Sequence, residues 1–276
     1  MKIQFQLNQQ AYECDPASGI SLAIPMDFDG AQPNHFGAPR ASREVLKLGE
    51  FVGDTEKGGS CNVDKLSMVP HCNGTHTETV AHIVNEDVYV GHHAVDAFTT
   101  ATLITVEPEL WRDVKSKVDT YRPPLHDNDR VVCRARLEQA FDALKLAETT
   151  SLIIRSITSI DRKSVAYGEN HAPAFFTVSA MEWIVSQGYR HLLVDLPSVD
   201  RMYDEGLLTN HHLFWQVPEG THTLDAESRQ DKTITEMVLV PDDLQDGLYL
   251  LNLQLPALCT DAAPSRPVIY PVTKVE

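Results

Sequence analysis

Two short apolar runs with a helix between them constrain the fold most. Ser151 to Ile157 (SLIIRSI) reads as a buried strand, and His191 to Pro197 (HLLVDLP) reads as a second. Between them, Thr177 to Gly188 (TVSAMEWIVSQG) predicts a helix that stops at a glycine just past its end. Strand, helix, strand within about 50 residues predicts a βαβ unit, which requires a parallel strand pair. The flanks agree with a mixed α/β fold. Ala101 to Pro108 (ATLITVEP) is a strand candidate, and Arg134 to Glu148 carries a helical stripe at 137, 141, 144 and 146. Strands are expected again over 235–240, 247–254 and 267–272. Residues 15–60, rich in Pro, Gly and Asp, read as loops with short strands. No linker-like segment interrupts the 276 residues, so the expectation is a single domain over 1–276.

Bulk properties exclude several functions. The formal charge of −16 argues against nucleic acid or an anionic membrane as partner, because phosphate binding needs clustered Lys and Arg. No stretch approaches the roughly 18 apolar residues of a membrane helix, and the N-terminus lacks an apolar signal run. The cysteines at 14, 61, 72, 133 and 259 are odd in number, scattered and without a CxxC pair. That usage fits reduced thiols and a cytoplasmic location.

Chemistry concentrates in one run, Pro70-His71-Cys72-Asn73-Gly74-Thr75-His76-Thr77-Glu78-Thr79-Val80-Ala81-His82. Imidazole, thiolate and carboxylate all bind divalent metals of the zinc and manganese type. His76 and Glu78 are two apart, so in an extended strand both side chains point the same way. The Asn73-Gly74 step can turn the chain between Cys72 and His76. His82 is placed to shuttle protons beside an ion. The bland reading is a loop of ordinary polar residues. Asn210-His211-His212 and His92-His93 read alone as helix ends or loops with exposed imidazoles. Glu236 lies inside an apolar strand: facing inward it needs a cation or another partner, and facing solvent it needs none.

Together these segments resemble the metal-dependent cyclase family of hydrolases, which includes bacterial kynurenine formamidase and isatin hydrolase. The run Cys72 to His82 matches the family's His-x-Gly-Thr-His-x-Asp-x-Pro-x-His segment. Glu182 to Asp200 (EWIVSQGYRHLLVDLPSVD), Asn210-His211-His212, and Glu236 to Pro256 with Pro264 to Val268 follow in the family's order. The resemblance implies a mixed, partly barrel-like sheet flanked by helices, of the swivelling β/β/α type, and a homodimer or larger assembly. It implies His76, Glu78, His211 and Glu236 as metal ligands, with either Cys72 or His71 as the first ligand. It implies His82 as the acid/base histidine, and zinc or manganese as the metal. The chain departs from the family at Cys72, at Glu78 for aspartate, at Val80 for proline, and in the extra stretch Gly220 to Lys232. Where the family has a substrate-stacking tryptophan, the segment Pro33 to Gly37 offers His35 and Phe36.

The expected function is therefore a metal-dependent hydrolase of a small molecule, resembling an arylformamidase. Activated water would cleave an amide, cyclic amide or ester. The alternative is a metal- or small-molecule-binding protein of the same fold without turnover.

Overall fold

The computed structural model describes residues 1–275 apart from 94, 95, 115–118, 120, 147 and 159. Its centre is a nine-stranded sheet. In chain order the strands are β1 (Ile20–Ser21), β2 (His76–Glu78), β3 (Thr99–Val106), β4 (Ser151–Ser156), β5 (His191–Val194), β6 (Thr233–Glu236), β7 (Gly247–Asn252), β8 (Ala262–Pro264) and β9 (Val268–Pro271). Four helices bear on the argument: α1 (Pro70–Asn73), α2 (Arg134–Leu144), α3 (Val178–Ser186) and α4 (Thr209–Trp215). The spatial order is β8-β2-β6-β5-β4-β3-β7-β9-β1.

The predicted βαβ unit is present: β4 pairs in parallel with β5, Ser151 opposite His191. The parallel block extends to β3 on one side and β6 on the other. The remaining pairs, β6–β2, β2–β8, β3–β7, β7–β9 and β9–β1, are antiparallel.

Alternation along the central strands builds two cores. Leu152 and Ile154 of β4 join Ile104, Leu192, Leu137, Met181, Phe214 and Trp215 under the helices. Ile153 points the other way, into a second cluster with Leu103, Leu193, Leu251, Leu22 and Ile269. Strands buried on both faces must be apolar throughout, which is why the run SLIIRSI carries no polar-out periodicity.

The second cluster exists because the sheet curls. Past edge strand β1, Ala23 bridges Val238 beyond β6, and the Ile24 amide donates to Thr75 Oγ1 at 2.9 Å. One edge thus turns back toward the opposite end of the sheet. The expectation of a mixed, partly barrel-like sheet with flanking helices holds.

Element ends differ from the sequence reading for local reasons. The strand expected over 235–240 ends at Glu236, because Met237 takes a left-handed backbone (φ 56°). The helix expected to reach Glu148 stops at Leu144, followed by left-handed Lys145. At α3, Thr177 caps the start by accepting from the Ala180 amide, and Gly188 (φ 77°) takes the predicted left-handed turn after the end.

Candidate metal centre

Strand β2 sits between β6 and β8, and this placement assembles the site. Across β6–β2, Glu236 lies directly opposite His76; across β2–β8, Ala262 lies opposite Glu78. Directly opposed residues share a face, and so do residues two apart on a strand. His76, Glu78 and Glu236 therefore face one side together. Helix α1 begins at Pro70, places His71, and gives way through extended Gly74 to β2. After β2, Thr79 accepts from the Ala81 amide and starts the 3₁₀ turn Val80–His82. Helix α4 supplies His211. Its first amides lack a side-chain cap within the helix, so Asp200 accepts from the Asn210 and His211 amides at 2.8 and 3.1 Å.

Four imidazoles surround Glu78, three of them hydrogen-bonded from outside. His76 Nδ1 donates to the Gly74 carbonyl (2.9 Å), His211 Nδ1 to Asp200 (2.6 Å), and His71 Nε2 to Asp261 (2.8 Å). His82 Nδ1 stands 3.6 Å from the same Asp261 oxygen. Their other nitrogens face inward. His211 Nε2 is 2.9 Å from Glu78 Oε1, His71 Nδ1 3.0 Å from Glu78 Oε2, and His82 Nε2 4.0 Å from that oxygen. His76 Nε2 lies 3.4 Å from Glu236 Oε2. The other Glu236 oxygen accepts from the Val199 amide at 2.8 Å and lies 3.7 Å from His211 Nε2.

The inner atoms are poorly satisfied by one another. Glu78 Oε2 and His76 Nε2 are fully buried and have no aligned hydrogen-bond partner. Leaving such groups unmade costs about 1–3 kcal/mol each. Ligand atoms of His71, His76 and Glu78 all lie within 4.8 Å of one another, as do those of Glu78, His82 and His211. Imidazole nitrogen and carboxylate oxygen, with outer nitrogens engaged by carbonyl or carboxylate, is the donor set and supporting shell of a zinc or manganese site. The residues fit such an ion.

Electrostatics point the same way. Burial opposes charge on Glu78, but the His82 and His211 imidazoles overcome it and hold the carboxyl well below its ordinary range. Burial likewise opposes a proton on His71, yet its hydrogen bond to Asp261 and the adjacent Glu78 carboxylate carry its pKa up to about 10. His211 is raised too, its burial outweighed by Glu78 and Asp200. Without an ion, protons on the imidazoles compensate the carboxylates, and a divalent cation can replace them.

The residues singled out in the sequence are distributed as follows. His71, His76, Glu78, His82, His211 and Glu236 converge. Cys72 belongs to none of the close groupings of ligand atoms found among the described residues. Its thiol is raised by burial first and by the Glu236 charge second, which keeps it protonated. The expectation of exposed imidazoles at 211 and 212 is corrected: both are buried, His212 donating through Nδ1 to the Val217 carbonyl at 3.1 Å. The solvent-facing alternative for Glu236 is corrected as well, since its side chain is buried opposite His76. His92 is exposed, as the bland reading of His92-His93 has it, whereas His93 is half-buried.

Three contributors had no role in the sequence reading of the metal set. Asp200 lay inside the matched PSVD stretch, where only its position before His211 could have marked it. Asp261 sits in a segment with no motif of its own. His35 is buried, and neither ring nitrogen has a partner. Burial first, then the nearby His76, lowers its pKa to about 4, so it is neutral at pH 7.

Comparison with known proteins bears on the fold and the family. A family model described as putative cyclase matches residues 8–201. Kynurenine formamidase from Bacillus cereus is 27% identical over 225 residues, covering 81% of this chain and 87% of that protein. Kynurenine formamidase from Bacillus thuringiensis (strain Al Hakam) is 25% identical over 228 residues, with 81% and 87% covered. Among solved structures, isatin hydrolase A from Labrenzia aggregata aligns with a TM-score of 0.57 at 12% identity, covering 91% of this chain and 93% of that one. A protein described as a predicted metal-dependent hydrolase from Bacillus stearothermophilus aligns with a TM-score of 0.57 at 15% identity, covering 91% and 97%. His211, Glu236 and Asp261 lie beyond the residues that the family model matches and stand on geometry. With a fold shared across these structures and a family match over more than half its length, the chain belongs to the putative cyclase family.

Proposed function

We propose that this chain is a metal-dependent hydrolase that cleaves an amide, cyclic amide or ester of a small molecule. One observation carries the reading: imidazoles anchored from outside converge on buried Glu78, where Glu78 Oε2 and His76 Nε2 lack aligned partners. His71, His76, Glu78, His211 and Glu236 would hold the ion, zinc or manganese. When bound, such an ion supplies a Lewis acid that polarises a carbonyl and lowers the pKa of water.

The chain's own residues do the rest. Asp200 and the Gly74 carbonyl fix the tautomers of His211 and His76, leaving Nε2 of each facing inward. His82 is about a quarter exposed, with Nε2 4.0 Å from a Glu78 oxygen. In that position it takes a proton from the attacking water as the new C–O bond forms. It returns the proton to the leaving nitrogen or oxygen as the C–N or C–O bond breaks. The names of the curated relatives favour an amide among these bonds.

The test is a screen of formamides, cyclic amides and lactones with metal-stripped protein, before and after adding zinc or manganese. Hydrolysis should depend on the added ion, and His82→Ala should retain the metal while losing about 10²-fold or more of the rate. Metal-loaded protein that hydrolyses none of these classes would overturn the proposal in favour of a binding protein of this fold.

A further inference from the structure

We propose that Asp261 is a positioning residue that holds His82 and His71 by their outer nitrogens and so aims their inner nitrogens at Glu78. The inference rests on the reading of His82 as proton carrier.

The geometry is a pair of rings clamped between two carboxylates. His71 and His82 stack with centroids 4.3 Å apart and planes inclined by 28°. On the outer side, a single Asp261 oxygen reaches His71 Nε2 at 2.8 Å and His82 Nδ1 at 3.6 Å. On the inner side, a single Glu78 oxygen faces His71 Nδ1 at 3.0 Å and His82 Nε2 at 4.0 Å. A carboxylate fixing one imidazole nitrogen while the other works is the arrangement that orients histidines in metal sites and in hydrolytic triads. Asp200 plays this part for His211, and the Gly74 carbonyl for His76. Among the described residues, the only carboxylate placed to do so for His82 is Asp261.

The backbone makes the arrangement rigid without the Asp261 side chain. The Asp261 carbonyl accepts from the Thr79 amide at 3.0 Å and from the Thr79 hydroxyl at 3.2 Å. Thr79 in turn caps the turn that carries His82. The next residue, Ala262, pairs with Glu78 across β2–β8. Asp261 and His82 are therefore tied through main chain, whereas the carboxylate itself is 41% exposed at the rim. Removing the carboxylate leaves both the core and the strand edge in place, so a variant reports on orientation and not on folding.

The closing experiment compares Asp261→Ala and Asp261→Asn at saturating zinc or manganese. Loss of an outer carboxylate costs about 10–100-fold in activity or metal affinity at such sites. The expected result is a kcat lowered in that range with KM little changed, and partial recovery of Asp261→Ala when formate is added. Asp261→Asn keeps the shape without the charge and should show no recovery. The ring-nitrogen protons of His71 and His82, read by ¹H–¹⁵N correlation in metal-free protein, give a second measure that needs no turnover. They should shift in both variants. An unaltered kcat, or unaltered ring-proton signals where no substrate is found, would overturn the role of Asp261. Failure of the hydrolase reading would show differently, as wild-type protein without turnover while the ring-proton shifts persist.

Discussion

His71 illustrates how the site works residue by residue. It is the residue that a strict motif alignment passes over in favour of Cys72, yet the first turn of α1 aims its ring between Glu78 and Asp261. Its pKa of about 10 in the folded chain exceeds the ordinary 6.5. Between those values the folded chain holds a proton that the unfolded chain has lost. The stabilisation is therefore complete below pH 6.5 and disappears as the pH rises through about 10. Metal-free protein should show a falling denaturant midpoint from pH 7 to pH 10, and His71→Gln should flatten that decline. A midpoint constant or rising over this range in the wild type would contradict the carboxylate contacts. His76, Glu78 and His82 were legible because their spacing is local. Asp261 was not, since an isolated acid becomes meaningful only when strand pairing sets it beside a motif almost two hundred positions earlier.

At the scale of elements, legibility followed burial. The runs in β4 and β5 are apolar on both faces, so they announce themselves without periodicity, and α3 is marked by its threonine cap and terminal glycine. Two-residue and three-residue strands such as β1 and β8 have too few side chains to signal, and only long-range pairing defines them. Helix α4, read from the sequence only as a helix end or a loop, was obscured for another reason. Its capping acid, Asp200, is ten positions upstream of Asn210 and not at its N-terminus. The central strands should carry the stability. Leu152 of β4 is fully buried between β3, β5 and the helices, so Leu152→Ala should cost about 2–5 kcal/mol in denaturant unfolding. Leu152 shares a face with Glu78 but lies three strands away from β2, so the folded variant should still bind metal. A loss below 1 kcal/mol would mean that the packing at the centre of the sheet is looser than described.

For the whole molecule, the curled sheet is what turns four distant stretches into one site. Residues 71–82, 211, 236 and 261 meet because β2 threads between β6 and β8, with α4 packed beside them. The formal charge of −16 does not by itself attract an ion to this place. On the proposed reading, selection of a cation comes from buried Glu78 and its ring of oriented imidazoles. The most direct test is elemental analysis of wild type and Glu78→Gln after loading with zinc or manganese and desalting, with folding checked by circular dichroism. The account predicts at least one bound ion per chain in the wild type and almost none in a folded Glu78→Gln. Wild-type protein without a bound ion, or a variant that retains the wild-type content, would contradict it.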